Sequence, residues 1–255
     1  MNITFLLSLP ALALDHTAAY QWLNEYSQTS EAREILSRYY GLSPEFSSQL
    51  YSWSRKQLAK SASSAIKNHQ TNNCTESTLF KIVDGHKHFT ALAEREYRFA
   101  DSLILIETAY CIPKVSIQQA YDVYMSAEFR KNVMPQIASF TVNGSIYCTE
   151  AEGVLGILKP AEYCYKASEK KDSSTIIVRN SFYSVSQGAE YQPFYFREEV
   201  LTFVQMDSGV GLYRATFTRS ADLSSTSKYV LRNTVDSSQG NIREQYYEWL
   251  SESEK

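Results

Sequence analysis

The chain has 255 residues, enough for one large domain with a sizeable core. Hydrophobic residues make up 44% and charged residues 21%, which excludes wholesale disorder. A net charge of −3 excludes an overall basic field that would draw the chain to nucleic acid.

The start, MNITFLLSLPALALDH, holds an apolar run and an Ala11-Leu12-Ala13 triplet of the kind found at cleavage sites. It lacks the Lys or Arg that normally precedes such a run, so it is read as an apolar arm, with a cleaved signal as the alternative. No stretch reaches the roughly 18 apolar residues of a membrane-crossing helix. Residues 15–70 read as helical. Ala18, Trp22 and Tyr26 share one face, and Ala32, Ile35, Leu36 and Tyr39 share another. Gly41 is a natural helix stop, and Ser43-Pro44-Glu45 restarts the helix with a cap, a first-turn Pro and an acid at the positive end of the dipole.

From residue 78 the period changes to two. TLFKIVDGHKHFTALAE predicts two strands around the tight-turn pair Asp84-Gly85, and DSLILIETAYCI predicts a third, ended by Pro113. A short helix follows. Ser116 is its N-cap, with Gln119 three residues on completing a capping box, and Ile117, Ala120, Tyr121 and Tyr124 line its apolar stripe. Strands then return as three hairpins. Their turns are Asn143-Gly144, the polar stretch after Glu169, and Asp207-Ser208-Gly209. The predicted total is nine strands. The end reads as a helix with Ile242, Tyr246, Trp249 and Leu250 on one face.

Cys74, Cys111, Cys148 and Cys164 form no C-x-x-C pair, so the usual zinc and redox spacings are missing. Three of them fall in predicted strands and are read as buried free thiols, which points to a reducing compartment. Asn2, Asn73 and Asn143 stand in N-x-S/T sequons, which arise easily by chance in a Ser/Thr-rich chain. His86 and His88 share one face of a predicted strand without a third ligand, and are read as exposed rather than metal-binding.

The order helix, three strands, short helix, six strands, final helix resembles the START domain, the steroidogenic-acute-regulatory-related lipid-transfer fold of the helix-grip superfamily. The resemblance spans about residues 76–254, with residues 43–68 similar to the family's first helix. Cys148-Thr149-Glu150 resembles the segment carrying a cavity acid, and Phe196-Arg197-Glu198 resembles the V-R-x-E strand start. Asp222-Leu223 with Asn233 resembles the entry to the last helix, and Phe129-Arg130-Lys131 the segment after the short helices. The family's Trp-Asp after Arg-Lys is replaced by Asn132-Val133, and the Arg that often answers the cavity acid is absent, with Lys166 the nearest basic residue.

The resemblance implies an α+β helix-grip fold: a curved nine-stranded antiparallel sheet around a long C-terminal helix. Short helices would follow strand three, and extra helices would precede the grip. It divides the chain into a helical arm, 1–42, and a START-like domain, 43–255. It implies one amphiphilic lipid of the sterol, phospholipid or sphingolipid class in an internal cavity, moved between membranes by a monomer. Glu150, Arg197, Lys166, Arg179, Tyr121 and Tyr124 are the expected ligand contacts. Val154, Leu155, Ile157 and Leu158, with Tyr246 and Trp249, are the expected lid and membrane contact. The apolar residues of the lid loop, flanked by Gly153 and Gly156, suit a segment that dips into a bilayer. No cofactor, metal or catalytic motif is implied, and the expected place is cytoplasmic with transient membrane association.

Two other classes remain open. A helix-grip enzyme of the cyclase or hydrolase type would use Glu150 with Tyr147 or Tyr183 for acid/base work. A protein-interaction module would present Trp22, Tyr39, Tyr40 and Trp53 as an interface.

Overall fold

In a computed structural model, the residues described are 14–25, 34, 36–38, 40–69, 74, 76–82, 88–89, 93–101, 103–129, 137–151, 161–185, 197–219, 242 and 244–249. The elements in chain order are α1 (His16–Glu25), α2 (Pro44–His69), β1 (Ser77–Ile82), α3 (Glu94–Ala100), β2 (Leu103–Pro113), α4 (Ile117–Met125), β3 (Ile137–Asn143), β4 (Ile146–Ala151), β5 (Ala161–Lys171), β6 (Thr175–Val185), β7 (Arg197–Met206) and β8 (Gly209–Arg219).

Local signals place most boundaries. The Ser43 hydroxyl accepts from the Phe46 N–H at 3.1 Å and so caps α2, which begins at Pro44. Ser116 and Gln119 form the reciprocal box at the start of α4: the Ser116 N–H donates to Gln119 Oε1 at 3.0 Å, and the Gln119 N–H donates to Ser116 Oγ at 3.3 Å. Asn143-Gly144 turns β3 into β4, with Gly144 at φ 60°. Gly209 has φ 148°, and a Cβ there would stand 2.1 Å from the Ile112 carbonyl oxygen. Only glycine lets β8 lie this close to β2.

The eight strands form one sheet in the order β1-β2-β8-β7-β6-β5-β4-β3, with every neighbouring pair antiparallel. Strands β3 to β8 run as consecutive hairpins, and β8 returns to pair with β2 over its whole length. Helix α4, between β2 and β3, is therefore the connection across one end of this sheet.

Adjacent residues of a strand point to opposite faces, and the two cores follow that rule. Leu103, Ile177, Val200, Ala215 and Phe217 face α1, α2 and α3, packing with Leu23, Phe46, Leu50, Leu58 and Phe99. Ile176, Val178, Leu201, Phe203 and Leu212 face α4 and the C-terminal helical segment, packing with Ile117, Val123, Tyr124, Ile242 and Tyr246. We call these the helix face and the grip face. Burying each Leu, Ile or Phe contributes about 1.5–3 kcal/mol, so either core alone is a substantial share of stability. The N-terminal arm joins the helix-face core through Leu14, Ala19 and Leu23.

Three expectations change. The second predicted strand falls mostly on residues outside those described; among the described ones, β1 pairs directly with β2, His88 lies in a turn, and Glu94 opens a helix. Glu96 fixes the start of that helix. Its carboxylate accepts from the Ala93 N–H at 2.9 Å and from the Ser43 N–H at 3.2 Å, so it caps α3 and ties it to the start of α2. The sheet has eight strands among the described residues, not nine. The expected long C-terminal helix is described as helical at Ile242 and residues 244–249.

The third change concerns the cysteines, which are not free thiols. Cys74 is bonded to Cys111 and Cys148 to Cys164. Cys148 and Cys164 are direct register partners on β4 and β5. Spacing along the chain hid this, because one pair joins register partners of two strands and the other joins Cys74, before β1, to β2. The inference to a reducing compartment loses its support.

Candidate functional site

The grip face divides into an aromatic half and a polar half. The aromatic half is a row across four strands. Phe140 on β3 meets Tyr147 on β4 with ring centroids 5.6 Å apart, Tyr147 meets Tyr165 on β5 at 5.7 Å, and Tyr165 meets Phe182 on β6 at 5.7 Å. Cross-strand aromatic pairs of this kind stiffen a sheet as well as lining a surface. Between this row and α4 lies a cleft of about 450 Å³, lined by Tyr121, Met125, Phe140, Tyr147, Ala167 and Glu169 among others. Tyr121 donates its hydroxyl hydrogen to Glu169 Oε1 at the cleft wall.

The polar half continues from β6 across β7 and β8. Glu199 is 3% exposed and accepts three hydrogen bonds: from Arg214 Nε at 2.6 Å, Asn180 Nδ2 at 3.0 Å and Thr216 Oγ1 at 3.1 Å. A buried carboxylate is costly unless paired in this way. On β2, Thr108 is the register partner of Arg214, and Tyr110 stands two residues further along the same face. Burial pushes the Tyr110 hydroxyl well above the usual phenol range. Thr108 pulls it back, and the neighbouring Tyr124 and the Glu199 carboxylate push it up further. Tyr110 is therefore a neutral hydrogen-bonding group. Over the apolar part of this face, the Tyr246 hydroxyl donates to the Ala120 carbonyl at 2.7 Å, fixing the C-terminal segment to α4.

The arrangement is suited to an elongated amphiphile: rings and aliphatic groups along one stretch, a fixed hydrogen-bonding group at another.

The residues expected from the sequence are distributed over both faces. Tyr121 and Tyr124 are on the grip side, where Tyr124 packs its ring 5.9 Å from Phe203. Tyr246 is buried and Trp249 half-buried against the same core. Strand alternation sends Glu150 and Lys166 to the opposite face from Tyr147 and Tyr165. Glu150 is exposed there and accepts from Ser139 Oγ at 3.0 Å. Arg179 is buried on the helix face, with its Nη2 3.2 Å from Glu198 Oε2. Arg197 opens β7 as the register partner of Thr218. Val154, Leu155, Ile157 and Leu158 lie outside the described residues, as do Asp222, Leu223 and Asn233. The acid/base pair Glu150 and Tyr147 is not brought together, because the two side chains leave β4 on opposite faces. Tyr183 stands at the register shift between β5 and β6, between the partners of Cys164 and Tyr165.

The sequence reading missed Asn180, Glu199, Arg214 and Thr216. The available signal was the doublet Glu198-Glu199 at the start of a strand otherwise rich in Val, Leu and Phe. Two acids on successive residues of a buried strand must go to different faces, so one had to reach each core.

No protein-family model matches the chain, and no curated protein sequence matches it. Among solved structures, the chain is similar to a START superfamily protein from Mycobacterium smegmatis, at 9% identity and TM-score 0.41, over 58% of this chain and 99% of that one. It is similar to human STARD10 at 13% identity and TM-score 0.41, over 59% of this chain and 67% of that one. A STAR-related lipid transfer protein fragment from Xanthomonas axonopodis is similar at 12% identity and TM-score 0.40, over 57% of this chain and 85% of that one. The fold assignment rests on the chain's own topology. A single antiparallel sheet, closed by the return of β8 to β2 with helices on both faces, defines an α+β protein of helix-grip arrangement.

Proposed function

We propose that the grip face binds one amphiphilic lipid and that the protein carries it between membranes. The observation that carries this reading is the continuity of two rows. The aromatic row and its cleft end at Phe182, and the buried Asn180–Glu199–Arg214–Thr216 row begins two residues away on the same strand. A hydrocarbon chain would lie along the rings and α4, where water is excluded and each buried methylene contributes about 0.8 kcal/mol. The head group would exchange hydrogen bonds with Tyr121, Glu169 or the Glu199 row. Val154, Leu155, Ile157 and Leu158, apolar residues beside Gly153 and Gly156 in the connection between β4 and β5, would serve as the membrane-facing lid. The two disulfides support an oxidising compartment as the place of work. No helix among the described residues is long and apolar enough to cross a membrane.

The test is native mass spectrometry of the purified chain, followed by solvent extraction and incubation with vesicles of phosphatidylcholine and sterol. A single lipid bound per chain, exchanged between vesicle populations, is the expected result. A chain that is purified empty and takes no lipid from vesicles overturns the proposal.

A further inference from the structure

The cross-strand pair Cys148–Cys164 is accompanied by carboxylates in the same register. β4 reads Cys148-Thr149-Glu150 and β5 reads Glu162-Tyr163-Cys164, and the antiparallel pairing sets Cys148 opposite Cys164 and Glu150 opposite Glu162. Because residues two apart share a face, both sulfurs and both carboxylates project from the side of the sheet away from the aromatic cleft. The Sγ atoms of Cys148 and Cys164 and a carboxylate oxygen of Glu162 all lie within 4.8 Å of one another. Among the described residues this is the one such grouping of three metal-binding side chains. Helix α2 packs over β7 and β8 rather than here, and Glu150 and Glu162 are exposed.

We propose that this face is a redox-gated site for a thiophilic divalent cation such as Zn²⁺, held by the Cys148 and Cys164 thiolates and Glu162. Glu150 or a water would complete four-coordination. With the disulfide closed, each sulfur is committed to the other and the site is shut. A dithiol reductant opens it: two electrons and two protons convert the S–S bond to two thiols, and the reductant leaves as its own disulfide. Binding of Zn²⁺ then displaces both thiol protons to solvent. The metal needs sulfur at about 2.3 Å and carboxylate oxygen at about 2.0–2.2 Å, which places the ligand atoms about 3.5 Å apart. Once the S–S bond is broken the two sulfurs separate to this spacing by rotation of their side chains, and rotation of Glu162 brings its carboxylate in from within 4.8 Å. Two soft thiolates favour zinc over magnesium or calcium, which take oxygen ligands. The bound metal would replace the disulfide as the clamp between β4 and β5, so the hairpin stays fastened in either state.

The experiment uses the full chain, reduced with a phosphine under argon or left oxidised, then incubated with Zn²⁺, gel-filtered and assayed for metal and thiol content. The expected result is one additional zinc per reduced chain and none per oxidised chain. Cys148→Ser should abolish this zinc, as should alkylating the thiols of the reduced wild type, which needs no refolding of a variant. Glu162→Gln should weaken binding by about tenfold or more, the scale of loss seen even for outer-shell partners. The double variant Cys74→Ser/Cys111→Ser should bind as the wild type does. Absence of zinc from the reduced chain overturns the proposal, as does zinc that survives alkylation or zinc lost only in the Cys74/Cys111 variant.

Discussion

Glu198 and Glu199 are neighbours in the chain, both are almost fully buried, and each faces an arginine. Their surroundings differ because β7 turns one to the helix face and the other to the grip face. Glu198 accepts from Arg179, Ser181 and the Phe182 N–H beneath α2. Burial still pushes its carboxyl above the ordinary value of 4.5, against the pull of Arg179 and the two other donors. Glu199 is held by side chains of β6 and β8 at the end of an aromatic surface beside a cleft. The first acid sits inside a packed helix–sheet core. The second lies where an amphiphile's polar group would end. One dipeptide thus separates the structural charge of this protein from the candidate functional one.

The comparison can be broken most sharply at the helix face. Glu198→Ala leaves the Arg179 guanidinium buried without its carboxylate and should cost about 3–5 kcal/mol of stability by urea unfolding, with lipid occupancy per folded chain unchanged. Loss of lipid in a normally stable variant would reverse the two roles. Glu199→Gln retains size but weakens three charge-assisted hydrogen bonds, and should cost about 1.5–3 kcal/mol while lowering the lipid fraction in native mass spectra. If occupancy holds, the Glu199 row is structural too. Tyr165→Leu keeps an apolar side chain while interrupting the aromatic row, and should cost about 0.5–1.5 kcal/mol and speed lipid exchange.

The smallest effect is a control far from both acids. Asp172 accepts from the Leu14, Ser174 and Thr175 N–H groups, fastening the N-terminal arm to the β5–β6 turn. Burial raises its pKa, but these hydrogen bonds outweigh burial and hold it below the ordinary 3.8. A depressed acid contributes stability that is complete above the unfolded value and is lost as pH falls through the folded one. The stability gap between the wild type and Asp172→Asn should therefore be present at neutral pH and close as pH drops below 3.8. A gap that persists in strong acid would show that the carboxylate does not hold the arm.

Where the sequence could be read well, the signals were local. Ser43-Pro44 and the Ser116/Gln119 box act within one helical turn, and Asn143-Gly144 acts within one hairpin, so each survives without knowledge of the fold. The Asp84-Gly85 signal suggested a hairpin whose turn and most of whose second arm lie outside the described residues. Just downstream, Glu96 finds partners at residues 43 and 93, a tertiary contact that fixes the start of α3. The candidate site was less legible. Glu150 was favoured by family resemblance, yet its position on β4 puts it on the far face. Glu199 was passed over because nothing in the chain before β7 says which of two adjacent acids points to which core.

The sequence by itself determined the antiparallel strand succession from β3 to β8, the helices α1 and α2 and the short helix α4, since caps, turns and a period of two are encoded in neighbouring residues. Tertiary structure alone decided the facing of each strand, the pairing of β1 with β2, the two disulfides and the grouping of Asn180, Glu199, Arg214 and Thr216. These depend on strand register. A shift of one residue would move every side chain of a strand to the other face while leaving its composition unchanged.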